Sequence, residues 1–323
     1  MDIVNVTNLK KTYGDFAAVN GVDFSIGQGE IFGFLGPNGA GKTSTINMMI
    51  GLAKPTEGTI IIKGIDVRKQ VKKAQSIMGI VPDESNLYDE LDGFENLCFC
   101  ASLYGMRKEE RESKAKQLLD EFRLTEAGKR PFKAYSKGMR RKLVIAAGII
   151  HSPQILFLDE PTTGIDIESA RQIRELIVEL KNQGTTVFIT THYIEDAERI
   201  CDRIAFIVSG KIIAIGSIPE LMESISHGYM IRLSAEESIM KYAADLQARF
   251  EGCNIKASQN NSLVLASQNR IPLLPVIQYF DEKGVSIYEA RQLSPTLEDV
   301  FVKVTGIEAE KLEKEKEKGV AGK

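Results

Sequence analysis

Residues 36–43 read Gly-Pro-Asn-Gly-Ala-Gly-Lys-Thr, a complete phosphate-binding loop of the pattern G-x-x-x-x-G-K-[ST]. Its flanks are what the chemistry requires. The apolar run Ile31-Phe32-Gly33-Phe34-Leu35 predicts a buried parallel strand, and Thr43 to Ile50, ending at Gly51, predicts a helix. A glycine-rich turn between strand and helix aims successive backbone N–H groups at one point. The helix start adds the positive end of its dipole, about half an elementary charge. Gly36, Gly39 and Gly41 let the backbone approach phosphate without a Cβ in the way. Pro37, Asn38, Ala40 and Ser44 complete the cradle. Lys42 is placed for the β- and γ-phosphates, and the Thr43 hydroxyl for Mg²⁺. A chain with this loop binds a nucleoside triphosphate.

At 323 residues the chain exceeds the length at which single cores stop growing, roughly 250–300 residues, so two domains are expected. Its content of 43% hydrophobic and 26% charged residues is that of a globular protein. No apolar run approaches the roughly 18–20 residues that cross a bilayer; Val144–Ile150 is among the longest. Met1-Asp2-Ile3-Val4-Asn5 lacks the basic region of a secretory signal. A net charge of −3 gives no overall attraction to nucleic acid. The cysteines at 98, 100, 201 and 253 have neither disulfide-framework nor zinc spacing. A protein of the reducing cytoplasm is expected.

Residues 1–65 alternate short strands with turns: Ile3–Leu9, Val22–Ile26, Glu30–Leu35 and Gly58–Ile62, punctuated at Gly21 and Gly27–Gly29. A strand at Ile77–Val81 precedes a helical region from Phe94 to Phe122. Apolar strands follow at Ile155–Leu158 and Thr186–Thr190, separated by Ile167–Asn182. There Ile173, Leu176, Ile177 and Leu180 keep helical spacing. Strands buried on both faces and alternating with helices argue for a parallel sheet in an α/β domain. Arg203–Ser209 and Lys211–Gly216 read as a closing hairpin around Gly210.

After about residue 226 the pattern changes to strand Tyr229–Ser234, helix Ser238–Phe250, strands Asn254–Ser258 and Ser262–Ala266, helix Pro272–Lys283 and strand Val285–Ala290. That β-α-β-β-α-β order is ferredoxin-like. Ser294-Pro295 is placed to cap a last helix through Lys303. The expected organisation is thus a nucleotide-binding domain at 1–225, with a helical subdomain at about 91–150. A small α+β domain follows at 226–307, and residues 308–323 form a charged tail expected to be solvated or disordered.

Phe157-Leu158-Asp159-Glu160 ends an apolar strand on two adjacent carboxylates. At the carboxyl edge of a parallel sheet, that is where ligands bind. Asp159 is suited to Mg²⁺, which one or two carboxylates and phosphate oxygens commonly hold. Glu160 is suited to take the proton of an attacking water, an effect of about 10²–10⁴ in rate.

With these motifs in place, residues 1 to about 225 resemble the nucleotide-binding subunit of an ABC transporter. Tyr13, before Gly14, matches the aromatic that stacks on adenine. Lys42 and Thr43 match the Walker A contacts to phosphate and Mg²⁺. Asp159 and Glu160 match the Walker B aspartate and the glutamate base. Thr163-Gly164-Ile165-Asp166 matches the D-loop, and His192 the switch histidine that contacts the γ-phosphate. Two positions depart from the common pattern. The signature loop reads Tyr135-Ser136-Lys137-Gly138-Met139, which keeps Ser136 and Gly138 as ATP contacts but adds a cation. Asp83 stands where a glutamine normally couples Mg²⁺ and the attacking water to the membrane subunit. Similar substitutions, and a segment like Ser294–Phe301, occur in the branch that resembles drug- and sodium-export ATPases.

The resemblance implies an ABC-type P-loop cassette with a β-subdomain, a parallel-sheet core and a helical subdomain. It implies ATP and Mg²⁺ as cofactors and an ATPase activity that drives transport, with export favoured. One chain supplies one Walker A loop and one signature loop, so two chains are expected to pair around two ATP. The membrane pathway would be a separate permease docking near Leu91–Leu124, holding the cassette at the inner face of the membrane. Nucleic acid is not an expected partner. The alternative is a non-transport ABC ATPase acting on ribosomes or DNA, although the tandem cassette or inserted coiled coil usual there is not visible.

Overall fold

The computed structural model describes residues 1–306 apart from 86, 226–228, 251, 259, 260, 294 and 295. The expected tail at 308–323 and the Ser294-Pro295 cap lie outside the described residues. The fold divides into two compact units, one of Met1–Ile218 with the described residues from Val304, the other of Pro219–Lys303, so that the last helix leaves the second unit at its final turn.

The first unit opens on two long strands, β1 (Asp2–Tyr13) and β2 (Phe16–Gly27), which form an antiparallel hairpin. They run well beyond the expected Ile3–Leu9 and Val22–Ile26. Gly21 reads in sequence as a break, yet it lies inside β2 with φ +72°. Leu9 pairs with Val22 and Lys10 with Asn20, so Gly21 is the extra residue of a bulge rather than a strand end. Next come β3 (Ile31–Leu35), α1 (Lys42–Met49), β4 (Glu57–Ile62), β5 (Ile65–Asp66), α2 (Val71–Gln75) and β6 (Met78–Val81). The helical region that the sequence reads as continuous is broken into α3 (Gly93–Leu103) and α4 (Lys108–Glu121). Gly105, with φ +77°, turns the chain between them. A capping box of Asp92 and Glu95 fixes where α3 starts. Then follow α5 (Lys137–Ile149), β7 (Ile155–Asp159), α6 (Ile167–Asn182), β8 (Thr186–Thr191), α7 (Ile194–Ile200), β9 (Arg203–Val208) and β10 (Lys211–Ser217).

Two sheets result. One is antiparallel, in the order β2-β1-β4-β5; the other runs β10-β9-β3-β8-β7-β6, parallel except for the edge strand β10. The residues of β3, β7 and β8 are all buried, which explains their unbroken apolar runs. Phe24 of the antiparallel sheet stacks on Phe32 with centroids 5.5 Å apart, and both lie near Phe188 at 6.2 and 6.1 Å. These rings join the two sheets in one core, each such pair adding roughly 0.5–1.5 kcal/mol beyond burial. The parallel register sets Asp159 beside Thr190 and Leu35 beside Thr191, so three strands end together on one edge.

The second unit begins within α8 (Ile218–Ile225), a helix the sequence reading did not distinguish. It continues with β11 (Tyr229–Ala235), α9 (Ala243–Arg249), β12 (Cys253–Ser258), β13 (Ser262–Ser267), α10 (Leu273–Glu282), β14 (Ile287–Leu293) and α11 (Leu297–Thr305). Its antiparallel sheet has the order β12-β13-β11-β14. Strands β11 and β12 are linked through α9 but have β13 between them, the split β-α-β of ferredoxin-like folds. The expected helix Ser238–Phe250 opens as a 3₁₀ turn, Ile239–Tyr242, before α9. The final strand lies later than expected, Ile287–Leu293 rather than Val285–Ala290, and Val285 is instead packed in the core. At the start of α11, Thr296 and Asp299 hydrogen-bond each other's backbone N–H, at 2.8 and 3.2 Å.

Candidate active site

The phosphate loop leaves β3 at Leu35 and enters α1 at Lys42, so the helix takes in one residue more at its start than the sequence predicted. The three glycines do different work. A Cβ on Gly36 would drive into the Ile207 carbonyl, and one on Gly41 into the Ala18 carbonyl. Their smallness is needed by the protein's own packing. Gly39, with φ +77° and open space around it, is the one that leaves room for a ligand. Ala40 is locked in place from both sides, its N–H donating to Pro37 and its carbonyl accepting from Gly210.

Asn38, Gly39, Gly41, Lys42, Thr43 and Ser44 line a cleft of about 410 Å³, and so do Asp83, Asp159, Glu160 and His192. That volume suits a nucleotide-sized ligand. The structure therefore brings together residues from four separate stretches of sequence. Gly36, Pro37 and Ala40 support the loop behind this lining. Tyr13 lies outside the lining, whereas Phe16 and Ala18 form part of it. Ser136 and Gly138 are at the start of α5. The Ser136 hydroxyl caps that helix by accepting from the Met139 N–H at 3.3 Å. Gly138 is buried, and a Cβ there would collide with the Ser169 hydroxyl.

Glu160 is the most constrained group of the site. Its carboxylate lies 3.2 Å from the Lys42 ammonium and 2.8 Å from His192 Nδ1, and it accepts from the Thr163 hydroxyl at 3.1 Å. Its backbone has φ +47°, a left-handed conformation that costs a non-glycine residue on the order of 1–3 kcal/mol. Burial pushes the Glu160 carboxyl up, but the His192 hydrogen bond and the Lys42 charge outweigh it and hold it below the usual range. Lys42 also donates to the carbonyls of Gly36 and Pro37, at 2.7 and 3.2 Å.

Asp159 is shifted the other way. Burial raises it and the Glu160 charge adds to that, against hydrogen bonds from the Thr190 and Thr43 hydroxyls. A carboxyl raised in the folded state contributes stability below its unfolded value of 3.8 and loses it as pH rises through the folded value. Asp159→Asn is therefore expected to raise the melting temperature of the nucleotide-free protein by a few degrees at neutral pH, with the gain fading in acid. Melting curves at several pH values check this; a variant less stable than wild type at neutral pH refutes it. The oxygens of Thr43, Asp159 and Asp83 make a hard donor set that fits Mg²⁺. Among the described residues, no group of three or more His, Cys, Asp or Glu could hold a metal by itself. An ion shared with a ligand's phosphates fits that arrangement.

One residue escaped the sequence reading. Arg141 is buried in α5 and its guanidinium reaches four carbonyls: Pro161 at 3.0 Å, Asp83 at 3.2 Å, Asp159 and Pro82. Burial pushes its pKa down to about 10, with Asp83, Asp159 and Glu160 pulling the other way. The signal was present in sequence: Arg141 shares helical spacing with buried Gly138, Val144 and Ile145. A cation on the buried stripe of a helix has to be satisfied there.

Residues 19–163 match the family model described as ABC transporter. The linearmycin resistance ATP-binding protein LnrL of Bacillus subtilis (strain 168) is 34% identical over 307 residues, covering 94% of this chain and 98% of that protein. Nod factor export ATP-binding protein I of Ralstonia nicotianae (strain ATCC BAA-1114 / GMI1000) is 32% identical over 314 residues, covering 95% and 94%. Among solved structures, the ATP-binding cassette MJ0796, a dimer in a post-hydrolysis state bound to ADP and Pi, superposes with a TM-score of 0.62. It is 28% identical and covers 66% of this chain and 98% of its own. The chain belongs to the ABC transporter family, as one of its ATP-binding, ATP-hydrolysing subunits.

Proposed function

We propose that this chain is the motor of an exporter, pairing with a second ATP-binding subunit around two ATP·Mg and driving a separately encoded permease. The observation behind this reading is the convergence of Lys42, Asp159, Glu160 and His192 where β3, β7 and β8 end side by side. Phosphoryl transfer needs mainly positioning and charge stabilisation, and this arrangement supplies both. Lys42 would hold the β- and γ-phosphates, and Thr43, Asp159 and Asp83 would hold Mg²⁺, which when bound would supply neutralisation of the phosphate charge. Glu160 takes the proton of the attacking water, and His192 keeps its carboxylate aimed. Once a γ-phosphate engages Lys42, the ammonium no longer holds Glu160 at 3.2 Å, and the carboxylate becomes a stronger base. Ser136 and Gly138 complete the partner's site across the dimer, and Lys137 adds positive charge beside it.

Relatives named for linearmycin resistance and Nod factor export support export as the direction. No described helix is long and apolar enough to cross a membrane, so the translocation path is assigned to the partner polypeptide, with the cassette peripheral on its cytoplasmic side. The apolar side chains of Phe99 and Leu103, one turn apart on α3, stay exposed, and Tyr88 meets Phe99 edge-on at 5.1 Å. Such a patch suits a permease segment. Leu103→Glu is expected to abolish co-purification with that multi-span membrane protein while leaving the ATPase rate of the isolated cassette within about twofold, as for surface changes. Wild-type protein that purifies with ribosomes or DNA, and with no membrane protein, overturns the transport reading.

A further inference from the structure

We infer that Asp196, acting through the Thr162 hydroxyl, is a positioning residue that sets the contact between Glu160 and His192. Asp196 stands in the first turn of α7 and is 5% exposed. A carboxylate so buried has to be paired. One of its oxygens lies 2.5 Å from the guanidinium of Arg174, itself largely buried on α6. The other accepts from the hydroxyl of Thr162, a buried residue in the loop between β7 and α6. Neither partner lines the cleft. Arg174 keeps the Asp196 charge from being buried alone. Such a pair adds little net stability over apolar side chains of the same volume, so what it supplies here is a fixed direction.

The segments that Asp196 joins give it this role. Thr162 follows Glu160 by two residues, and the left-handed φ of +47° at Glu160 lasts only where its surroundings over-determine it. On the near side the strands do so: the Glu160 N–H donates to the Thr190 carbonyl at 3.1 Å. On the far side the Thr162–Asp196 bond does so. Asp196 in turn follows His192 by four residues. The Ala197 N–H donates to the Tyr193 carbonyl at 3.3 Å and closes the first turn of α7, so the backbone beside His192 moves with Asp196. The 2.8 Å contact between His192 Nδ1 and the Glu160 carboxylate is thereby held at both ends. Freed from Asp196, the loop after Glu160 and the start of α7 are tied only through β7 and β8, and the carboxylate loses its aim.

This inference rests on Glu160 as the base, and the test separates the two claims. Steady-state ATP hydrolysis by the full chain is measured for Thr162→Val, Thr162→Ser, Glu160→Gln and the double variant of Glu160→Gln with Thr162→Val. Valine keeps the volume of threonine and removes its hydroxyl. Thr162→Val is expected to lower kcat about 10²-fold, the effect of a misplacement of about 1 Å. The KM for ATP should stay near that of wild type, because the phosphate loop is untouched. Thr162→Ser, which keeps the hydroxyl, is expected to recover most of kcat. Asp196→Leu combined with Arg174→Met sets an apolar pair in place of the ionic one; it is expected to fold and to lose kcat as Thr162→Val does. Glu160→Gln leaves no base to aim, so adding Thr162→Val to it should cost little more. Wild-type kcat in Thr162→Val overturns the inference and leaves Glu160 as the base. The same further loss in both backgrounds, or a loss in KM instead of kcat, also overturns it, since either marks a residue that serves the fold alone. Wild-type turnover in Glu160→Gln removes the base and the inference with it.

Discussion

Glu160→Gln is expected to lower steady-state ATP turnover by about 10²–10⁴-fold, the contribution of a positioned general base. ATP binding should survive, because Lys42 keeps its 2.7 Å hydrogen bond to Gly36 and the loop keeps its shape. The amide retains the size and polarity of the carboxylate but cannot take a proton from water. Binding without hydrolysis should accumulate a dimer, seen by light scattering with ATP and lost on its removal. The same change has a signature in stability. Glu160 is held below its unfolded value of 4.5, so its charge contributes stability above that pH, lost as pH falls through the folded value. The variant lacks that contribution, so wild type should be the more stable at neutral pH and the two should converge in acid. Turnover at the wild-type rate would remove Glu160 from the chemistry.

Much of this site was legible in sequence because its parts are local. The loop at Gly36–Thr43, the Asp159-Glu160 pair and His192 each follow a short run of apolar residues. Strands of a parallel sheet deliver their carboxyl ends to one edge. What could not be read was which glycine serves the ligand and which serves the fold. Gly36 and Gly41 are small because Ile207 and Ala18, distant in sequence, press against them. Gly21 misled for the same reason: a bulge and a strand end look alike until the pairing of β1 with β2 is known. The break between α3 and α4 is marked only by Gly105, because residues compatible with a helix stand on both sides of it.

Arg141→Ala is expected to lower the melting temperature by roughly 6–12 °C, from a loss of about 3 kcal/mol in a unit of this size. The reason is what it leaves behind. The carbonyls of Pro82, Asp83, Asp159 and Pro161 accept from one guanidinium, and each buried acceptor without a partner costs about 1–3 kcal/mol. Water reaches those nearer the surface and reduces the total. Turnover should fall further than stability explains. Arg141 ties the backbone of Asp83, just after β6, to that of Asp159 at the end of the neighbouring strand β7, and it does so from the helix that Ser136 begins. A misplacement of about 1 Å in such a site costs on the order of 10²-fold in rate. Arg141→Lys separates the two effects. Lysine keeps the charge, but a single ammonium cannot span four acceptors that a planar fork reaches. Its melting temperature should recover in part while kcat stays low and the KM for ATP stays near that of wild type, since the phosphate loop is untouched. Full recovery of kcat in Arg141→Lys would reduce the residue to a source of charge. A wild-type kcat in Arg141→Ala would show that the site's geometry is held by the sheet alone.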